Sequence, residues 1–389
     1  MLTSLSATTL SGYVDTSAIW NMGTGNANMP GRVYDGPTMM DGFNLDVVSL
    51  TLDKPLDDSQ WASGYHFQML MGPGAAQRGT GIFASSGTTD FAFNEAYVNL
   101  RVPIGNGLEL HMGQFGTFNG YESYDTYKDP NFSRSYGFYI ESSAHTGIAG
   151  TYKVTDCFAL QAGIGNQAGY NNQVDVKNGV ESKKAYLVMA SFTAPESFGF
   201  MKGATLSAGW TDGGHFPAVI PNVSGGGASS GGTDYNQRNL YIGGTTPLPI
   251  TGLSLGVAYD LTTSSVFQNS YANALGTYLM WQITEKLKSG SRLDFGWGSN
   301  GSYANGENGS FGYVSQGSCN QLMSLTETLD YSLWKNVISR VEFRWDHCLT
   351  DDKPFGGTVA ADFSTTPATP GNPSKANAET LTLNIIYMF

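Results

Sequence analysis

The sequence predicts a single all-β domain spanning residues 1–389, a transmembrane antiparallel β-barrel of about sixteen strands in an outer membrane. Three observations lead to this fold class. Apolar residues alternate with polar ones in many short segments, short turns alternate with long loops, and charged residues are scarce at 13% while glycines number 50. The mean hydropathy is −0.20, so the polarity comes mainly from uncharged side chains. This mixture is typical of a sheet with one lipid-facing apolar face and one polar face.

The segment 377–389 shows the alternation most clearly. Every second residue from Leu381 to Phe389 is apolar or aromatic, whereas Thr380, Thr382 and Asn384 fall on the other face. A period of two places these sets on opposite faces of a strand. We expect the apolar set to face lipid and the polar set to face the lumen. For this segment alone, an amphipathic edge strand of a soluble sheet is the alternative.

The connections distinguish a barrel from a sandwich. Short turns, such as 54–58, alternate with long loops rich in Gly, Ser, Asn and Pro, such as 212–236 and 348–376. Short periplasmic turns and long external loops are the pattern of outer-membrane barrels. Sixteen strands leave a water-filled lumen rather than a packed core, and fourteen or eighteen strands are the alternatives.

The strand of segment 42–53 is irregular, because its apolar residues change parity midway. Phe43, Leu45 and Val47 share one face, and Val48 begins the other. A β-bulge would reconcile the two halves. The predicted strands lie near 10–20, 42–53, 61–71, 91–102, 108–116, 145–154, 158–167, 182–194, 203–211, 237–246, 253–262, 272–284, 290–298, 319–331, 337–347 and 377–389.

Charge and motifs exclude several function classes. The net charge of −12 disfavours nucleic acid, which requires basic patches, and also disfavours docking onto anionic lipid. No run of apolar residues is long enough for a transmembrane helix. The sequence contains no zinc-type Cys/His cluster, phosphate loop or hydrolase motif, and none of its five histidines has a local set of catalytic partners. We therefore expect no cofactor, no metal site and no enzymatic activity.

A row of charged residues is predicted to face the lumen from segment 337–347. An arginine or lysine facing the middle of the bilayer costs roughly 2–4 kcal/mol, so the row must line water or pair across the lumen. One interpretation is a ladder that guides ions, and the other is a structural network that braces the wall. The row consists of Arg340, Glu342, Arg344 and Asp346, and other lumen-facing candidates are Asp15, Glu95, Tyr97, Arg101, Glu109, His111, Lys153, Arg292 and Asp294.

The loop at 117–144 differs from the others because it is rich in aromatic and charged residues. Aromatic side chains need a surface to pack on, and folding inward against the wall would supply one and narrow the lumen. The alternative is that Ser135 to Glu141 forms another strand. The candidate constriction residues of this loop are Glu122, Asp125, Asp129, Arg134 and Glu141.

Three cysteines cannot all pair within one chain. Cys319 and Cys348 lie at the outer ends of two strands joined by a short turn, in an oxidising location, so a disulfide between them is one possibility. Their face parity disagrees, since Cys319 is predicted to point outward and Cys348 inward. Cys157, near a short turn, is predicted to be an unpaired thiol.

Several motifs resemble those of the OmpL-like β-barrel porin family, of the porin-2 type. They are Ser11-Gly-Tyr-Val-Asp15, Gly120-Tyr-Glu122, Asn131-Phe-Ser-Arg-Ser-Tyr136, His145-Thr-Gly147, Gly150-Thr-Tyr152 and Gly163-Ile-Gly-Asn166. The match covers roughly residues 10–167. Ala144 stands where the family commonly has Thr, and Asn166-Gln167-Ala168 replaces the usual Asn-Gly-Trp. The resemblance implies a pore for passive diffusion in a bacterial outer membrane, and it implies no particular solute.

We therefore expect a water-filled channel for ions and small hydrophilic solutes. The alternative is a surface adhesin or an envelope anchor that uses the long loops 212–236 and 348–376. Expected partners are outer-membrane lipid and lipopolysaccharide, and nucleic acid is excluded. By analogy with other sixteen-strand porins, we expect a homotrimer.

Overall fold

A computed structural model of the chain describes residues 7–23, 25–28, 36–78, 90–168, 183–214, 236–264, 270–299, 319–359 and 371–389. These residues form sixteen antiparallel strands that close into one barrel, with each strand paired to its neighbours in sequence. The predicted fold class and strand number are confirmed. The strands are β1 Thr9–Asn21, β2 Gly42–Lys54, β3 Ala62–Met71, β4 Phe91–Val102, β5 Leu108–Gly116, β6 Ala144–Lys153, β7 Phe158–Gly165, β8 Ala185–Thr193, β9 Thr205–Gly214, β10 Asn236–Pro247, β11 Leu253–Ser264, β12 Ser270–Gln282, β13 Leu287–Gly298, β14 Gln321–Trp334, β15 Val337–Cys348 and β16 Asn377–Met388.

The first and last strands close the barrel. β16 pairs with β1 in a register that sets Tyr13 opposite Met388. The ladder continues to the last residue, where Gly12 and Phe389 exchange two backbone hydrogen bonds of 2.9 Å. Closure of this kind satisfies every strand edge, which the interior of a membrane requires because it offers no water to unpaired peptide groups.

The two faces of β16 have the predicted orientation. Thr380, Thr382 and Asn384 are buried on the inner face. Leu383 and Tyr387 on the outer face are each almost half exposed, as lipid-facing residues are when the protein stands alone. The alternation of polar and apolar residues therefore corresponds to lumen and lipid.

The parity change in β2 is a β-bulge, as predicted. Asp15 pairs with Val47 and Thr16 pairs with Leu45, so Asp46 has no opposite residue. Asp46 and Val47 are both buried on the inner side. The extra residue lets Phe43 and Leu45 before it and Leu52 after it face outward, whereas the predicted position of Val47 on the face of Phe43 and Leu45 is wrong.

Some strand boundaries differ from those predicted. β13 begins at Leu287, not near 290, because its pairing with β14 continues to Tyr331. β12 begins at Ser270 and pairs there with Ser264. β14 begins at Gln321, not at 319. Parts of the long loops, including 215–235, 300–318 and 360–370, lie outside the described residues.

Two short helices lie between strands, α1 Pro73–Arg78 and α2 Tyr136–Ile140. The alternative strand over Ser135 to Glu141 is therefore wrong. Ser135 is the N-cap of α2, and its side chain accepts a hydrogen bond of 3.2 Å from the Phe138 amide. A serine at this position satisfies one of the free amides of a first helical turn. In the described part of the chain, no helix has the length and apolar character needed to cross a membrane.

The structure joins Cys319 to Cys348 by a disulfide, with the two Cα atoms 6.2 Å apart. Both cysteines are buried beside Leu322 and Phe355. The predicted outward orientation of Cys319 is wrong, because the residue precedes the first residue of β14 and the alternation of that strand does not apply to it. Cys157 is a free thiol.

We predict that Gly12→Ala weakens closure of the barrel. A Cβ atom at Gly12 would overlap the Ser49 carbonyl oxygen and lie 2.7 Å from Cζ of Phe389. Forcing a methyl group into such a contact costs about 1–3 kcal/mol. The heat-induced change in electrophoretic mobility of the folded barrel should then occur at a lower temperature.

Gly42→Ala is the matched control, because the only atom near a Cβ at that glycine is the Met40 carbonyl oxygen at 4.0 Å. Equal unfolding temperatures for the two variants would contradict the role of Gly12 in closure.

Candidate functional site

The loop at 117–144, between β5 and β6, folds into the lumen and contacts distant parts of the wall. Asn119 Nδ2 donates a hydrogen bond of 3.1 Å to the Thr211 hydroxyl on β9. On the other side of the barrel, Tyr13 on β1 donates one of 2.9 Å to Oδ1 of Asp125. The loop is therefore attached on opposite sides of the lumen.

Arg340 on β15 binds the backbone of the loop. Its Nη1 donates to the Thr126 carbonyl and its Nη2 to the Asp129 carbonyl, each at 2.7 Å. Its Nε forms an ion pair of 2.7 Å with Asp330 on β14. The guanidinium thus binds a carboxylate of the wall and two carbonyls of the loop.

Glu342 is two residues further along the same face. Its carboxylate accepts hydrogen bonds from the consecutive amides of Phe132 and Ser133, at 2.5 and 2.9 Å. Oε2 also accepts a bond of 2.7 Å from the Thr328 hydroxyl. One side chain therefore satisfies two neighbouring peptide groups of the loop, and hydrogen bonds to a carboxylate are among the stronger ones in proteins.

Arg344 and Asp346 continue the row towards the long-loop end. Arg344 Nη1 donates to the Arg134 carbonyl at 2.5 Å, and its Nη2 forms an ion pair of 2.8 Å with Asp346. Asp346 also accepts a bond of 2.7 Å from the Tyr136 hydroxyl. The first turn of α2 is therefore held by this pair.

Arg292 on β13 joins the network from a neighbouring part of the wall. It pairs with Glu122 of the loop and with Asp294 of its own strand, each at 2.8 Å. It also donates to the Ser133 carbonyl at 2.5 Å. Ser133 therefore has its amide bound to Glu342 and its carbonyl bound to Arg292.

These contacts favour one of the two interpretations of the charged row. Arg292, Arg340 and Arg344 are at most 2% exposed, and they lie between the loop and the wall. The row binds the loop to β13–β15, which favours the bracing network over the ladder that guides ions.

Two buried carboxyl groups on the loop are poorly suited to carry charge. Burial raises the pKa of Asp129 to about 7, although the Arg134 guanidinium lies 3.3 Å away and acts in the opposite direction. Burial also raises the pKa of Glu141 well above its usual range, and the nearby carboxyl groups of Asp260 and Glu122 add to this effect. Both groups therefore favour the protonated form.

A cavity of about 480 Å³ lies beside the loop, on the side of β1–β5. The loop contributes Tyr127, Lys128 and Phe138 to its lining, and the wall contributes His66 and Gln68. Four of the candidate residues also line it, which are Glu95, Glu122, Asp125 and Glu141.

Some of the candidate site residues thus line the cavity, and others bind the loop to the wall. Arg101 does neither. It pairs with Glu109 at 2.8 Å and donates to the Asp57 carbonyl near the short turns. The loop also has uncharged partners that the sequence did not predict, such as Thr328 and Asn239. The Asn239 side-chain amide donates to the Ile140 carbonyl at 2.6 Å. The alternation of their strands places both residues on the inner face, but as uncharged residues they do not stand out in the sequence.

Among the described residues, no three His, Cys, Asp or Glu side chains lie close enough together to hold a metal ion.

We predict that Glu342→Ala releases the middle of the loop. The substitution leaves the amides of Phe132 and Ser133 buried without their acceptor, and each unsatisfied group costs about 1–3 kcal/mol. Limited proteolysis should then cleave the folded barrel within 117–144.

Glu327→Ala is the control, because Glu327 lies on the neighbouring strand and points outward, where Ser291 donates to it at 2.7 Å. Resistance of Glu342→Ala to cleavage, at the level of the control, would show that this carboxylate does not hold the loop.

We predict a pH dependence of stability that arises from Asp129. Its usual pKa is 3.8, and in the folded protein it is about 7. The folded state therefore keeps a proton that the unfolded chain loses, so this group's contribution to stability is complete below pH 3.8 and is lost as the pH rises towards 7. The melting temperature in detergent should fall over this range, and Asp129→Asn should make the fall smaller. Asp58→Asn, on an exposed turn, should leave it unchanged.

Comparison with known proteins identifies the family. A family model described as beta-barrel porin-2, OmpL-like, matches residues 7–389. No curated protein matches the sequence. Similar solved structures include OprB of Pseudomonas putida, with a TM-score of 0.60 and 10% identity over 100% of this chain and 96% of that chain.

Two further solved structures are similar to this chain to a comparable degree. An anion-selective porin from Comamonas acidovorans has a TM-score of 0.59 and 10% identity, covering 98% of this chain and 99% of that chain. The trimer form of OmpT, an outer membrane protein of Vibrio cholerae, has a TM-score of 0.55 and 11% identity, covering 98% and 99%. At these identities the likeness shows the fold alone. The match of the family model to nearly the whole chain shows more: the protein belongs to the OmpL-like beta-barrel porin-2 family and is an outer-membrane channel protein for passive diffusion.

Proposed function

We propose that residues 117–144 form the constriction of this channel, and that ions and small hydrophilic solutes pass between the loop and the β1–β5 side of the wall. The observation that carries the proposal is the uneven filling of the lumen at the level of the loop. Towards β13–β15 buried side chains are bonded to the loop, and a smaller cavity of about 290 Å³ lies beside Arg340. Towards β1–β5 it contains the cavity of about 480 Å³.

The lining of this cavity suits hydrated solutes better than apolar ones. Hydroxyl and amide groups, such as those of Thr51, Gln68 and Asn94, face it from the wall. The loop that bounds it is held by charge-assisted hydrogen bonds, which keep their geometry while solute passes. We propose no enzymatic activity, because the charged groups of the site are occupied in holding the loop.

No observation favours the adhesin or anchor as a second function. Most of loop 212–236 lies outside the described residues. In the described part of loop 348–376, Phe355 is fully buried in one cluster with Tyr136 and Ile140 of the loop at 117–144.

We extend the proposal to a homotrimer surrounded by lipid and lipopolysaccharide. The trimer form of OmpT supports the homotrimer, because its fold covers nearly the whole of this chain. The outer belt of Leu, Ile, Val and aromatic residues supports the contact with lipid, because it presents an apolar surface at membrane depth.

Planar-bilayer recording tests these proposals. The protein should insert with stepwise conductance, in events that close in three equal steps if each trimer has three pores. The double variant Arg340→Ala/Glu342→Ala should raise the single-channel conductance, because the loop loses four hydrogen bonds to the wall and can move aside.

Glu196→Ala is the control, since this glutamate lies on an exposed turn and pairs with Lys202 outside the lumen. A folded barrel that never conducts would refute the channel. A double variant with the conductance of the control would show that the loop is not the narrowest part.

A further inference from the structure

Two carboxyl groups are in contact where the end of α2 meets the wall. Glu141 is the C-cap residue of α2, and its backbone amide donates a hydrogen bond of 3.3 Å to the Gly137 carbonyl. Asp260 reaches α2 from β11, since a Cβ atom at Gly137 would lie 2.5 Å from its Oδ2. The side chains of Glu141 and Asp260 share a hydrogen bond. One acid group bonded to another therefore joins the loop at 117–144 to β11.

This pair of acids is buried without a basic ion-pair partner among the described residues. Glu141 is 8% exposed and Asp260 is 3% exposed. In the same part of the chain, no amide or hydroxyl group donates to Oδ1 of Asp260. Two carboxylates in direct contact cannot both be ionised, so the pair must hold a proton between its oxygen atoms.

Most of the groups around the pair are acidic or neutral. Arg292 of β13 is bound to Glu122 of the loop and to Asp294 of its own strand, each at 2.8 Å. The proton is therefore what lets the two acids remain in contact. The other titratable neighbours are Asp129 of the loop, His145 of β6, whose Nε2 lies 3.3 Å from the Ser142 hydroxyl, Tyr241 of β10, and Tyr278 of β12, which donates to Glu122 at 3.2 Å.

Several other contacts of the loop do not depend on a titrating proton. Arg340 and Arg344 bind loop carbonyls, and arginine stays charged at every ordinary pH. The side-chain amide of Asn239, which binds the Ile140 carbonyl at 2.6 Å, carries no charge. The contact with β11 differs, because removal of its proton converts a hydrogen bond into repulsion between two carboxylates.

This repulsion acts towards the cavity. Asp260 is fixed in the sheet, where it lies opposite Tyr241 of β10 and Ala274 of β12. Glu141 belongs to the loop, and it lines the cavity together with its neighbours Ser142 and Ser143. Glu141 is therefore the partner that can move, and its way from β11 leads into the cavity.

We propose that Glu141 and Asp260 are a positioning pair whose shared proton holds the end of the loop against β11, and that loss of this proton in alkaline medium moves Glu141 into the cavity and lowers the conductance. This inference rests on the proposed function, because it requires that ions pass through the cavity beside the loop. Neither residue needs to bind solute, since both act through the position of the loop.

Single-channel conductance at neutral pH and at about pH 9, which is below the usual pKa of tyrosine and lysine, tests the pair. The wild-type conductance should fall at the higher pH. Glu141→Gln should abolish the fall, because its amide donates to Asp260 at both pH values. Asp260→Asn should abolish it for the same reason, with the amide donating to Glu141. Glu196→Gln, outside the lumen, is the control and should keep the wild-type fall.

Infrared spectroscopy of the folded protein detects the proton independently of conductance. At neutral pH, the C=O band of protonated carboxyl groups should be weaker by one group in Glu141→Gln than in the wild type. The heat-induced mobility shift verifies that each variant is folded.

Equal carboxyl bands in these two proteins, or a folded Glu141→Gln with the wild-type fall in conductance, would overturn the positioning pair while the channel stands. A wild-type conductance that does not fall would overturn it as well. A barrel that shows the expected difference in the carboxyl band but never conducts would instead overturn the proposed passage, and with it the effect of the pair on conductance.

Discussion

The structure depends on one constraint: a loop that crosses the lumen must find hydrogen-bond partners there for its peptide groups. A loop that leaves the sheet loses the backbone hydrogen bonds between strands, and inside the lumen it is shielded from much of the water. Here the wall supplies the partners. Arg340 and Arg344 donate to loop carbonyls, and Glu342 accepts from two consecutive amides. Each buried charge is costly alone, so the loop and the wall stabilise each other: the peptide groups solvate the charges, and the charges satisfy the peptide groups.

The same constraint explains where the charges of the inner wall lie. β13–β15 carry the arginines that bind the loop. By contrast, the inner face of β7 presents Ala159, Gln161 and Gly163, without charge. The arginines bind the loop to the wall on one side. The cavity on the other side of the loop therefore has a lining in which acidic side chains outnumber basic ones. Bracing of the loop and the charge of the cavity lining are therefore two results of one arrangement.

The outer end of the loop is fixed by packing as well as by hydrogen bonds. Tyr136 and Ile140 of α2 lie in one apolar cluster with Phe355 from loop 348–376. The disulfide between Cys319 and Cys348 belongs to the same cluster and joins the ends of β14 and β15. The cross-link thus lies where loop 348–376 meets the loop at 117–144.

The sequence by itself determined the strands, their two faces and their number, because a period of two is a local property that each segment carries alone. It also predicted a bulge in β2, which the structure places at Asp46. Only the tertiary structure decided what the row from Arg340 to Asp346 does, because Glu342 and its partner Phe132 are 210 residues apart. Local alternation places a charge on the inner face, but it does not say whether water or another segment lies opposite. For the same reason it could not separate Glu95, which lines the cavity, from Arg292 and Arg344, which bind the loop.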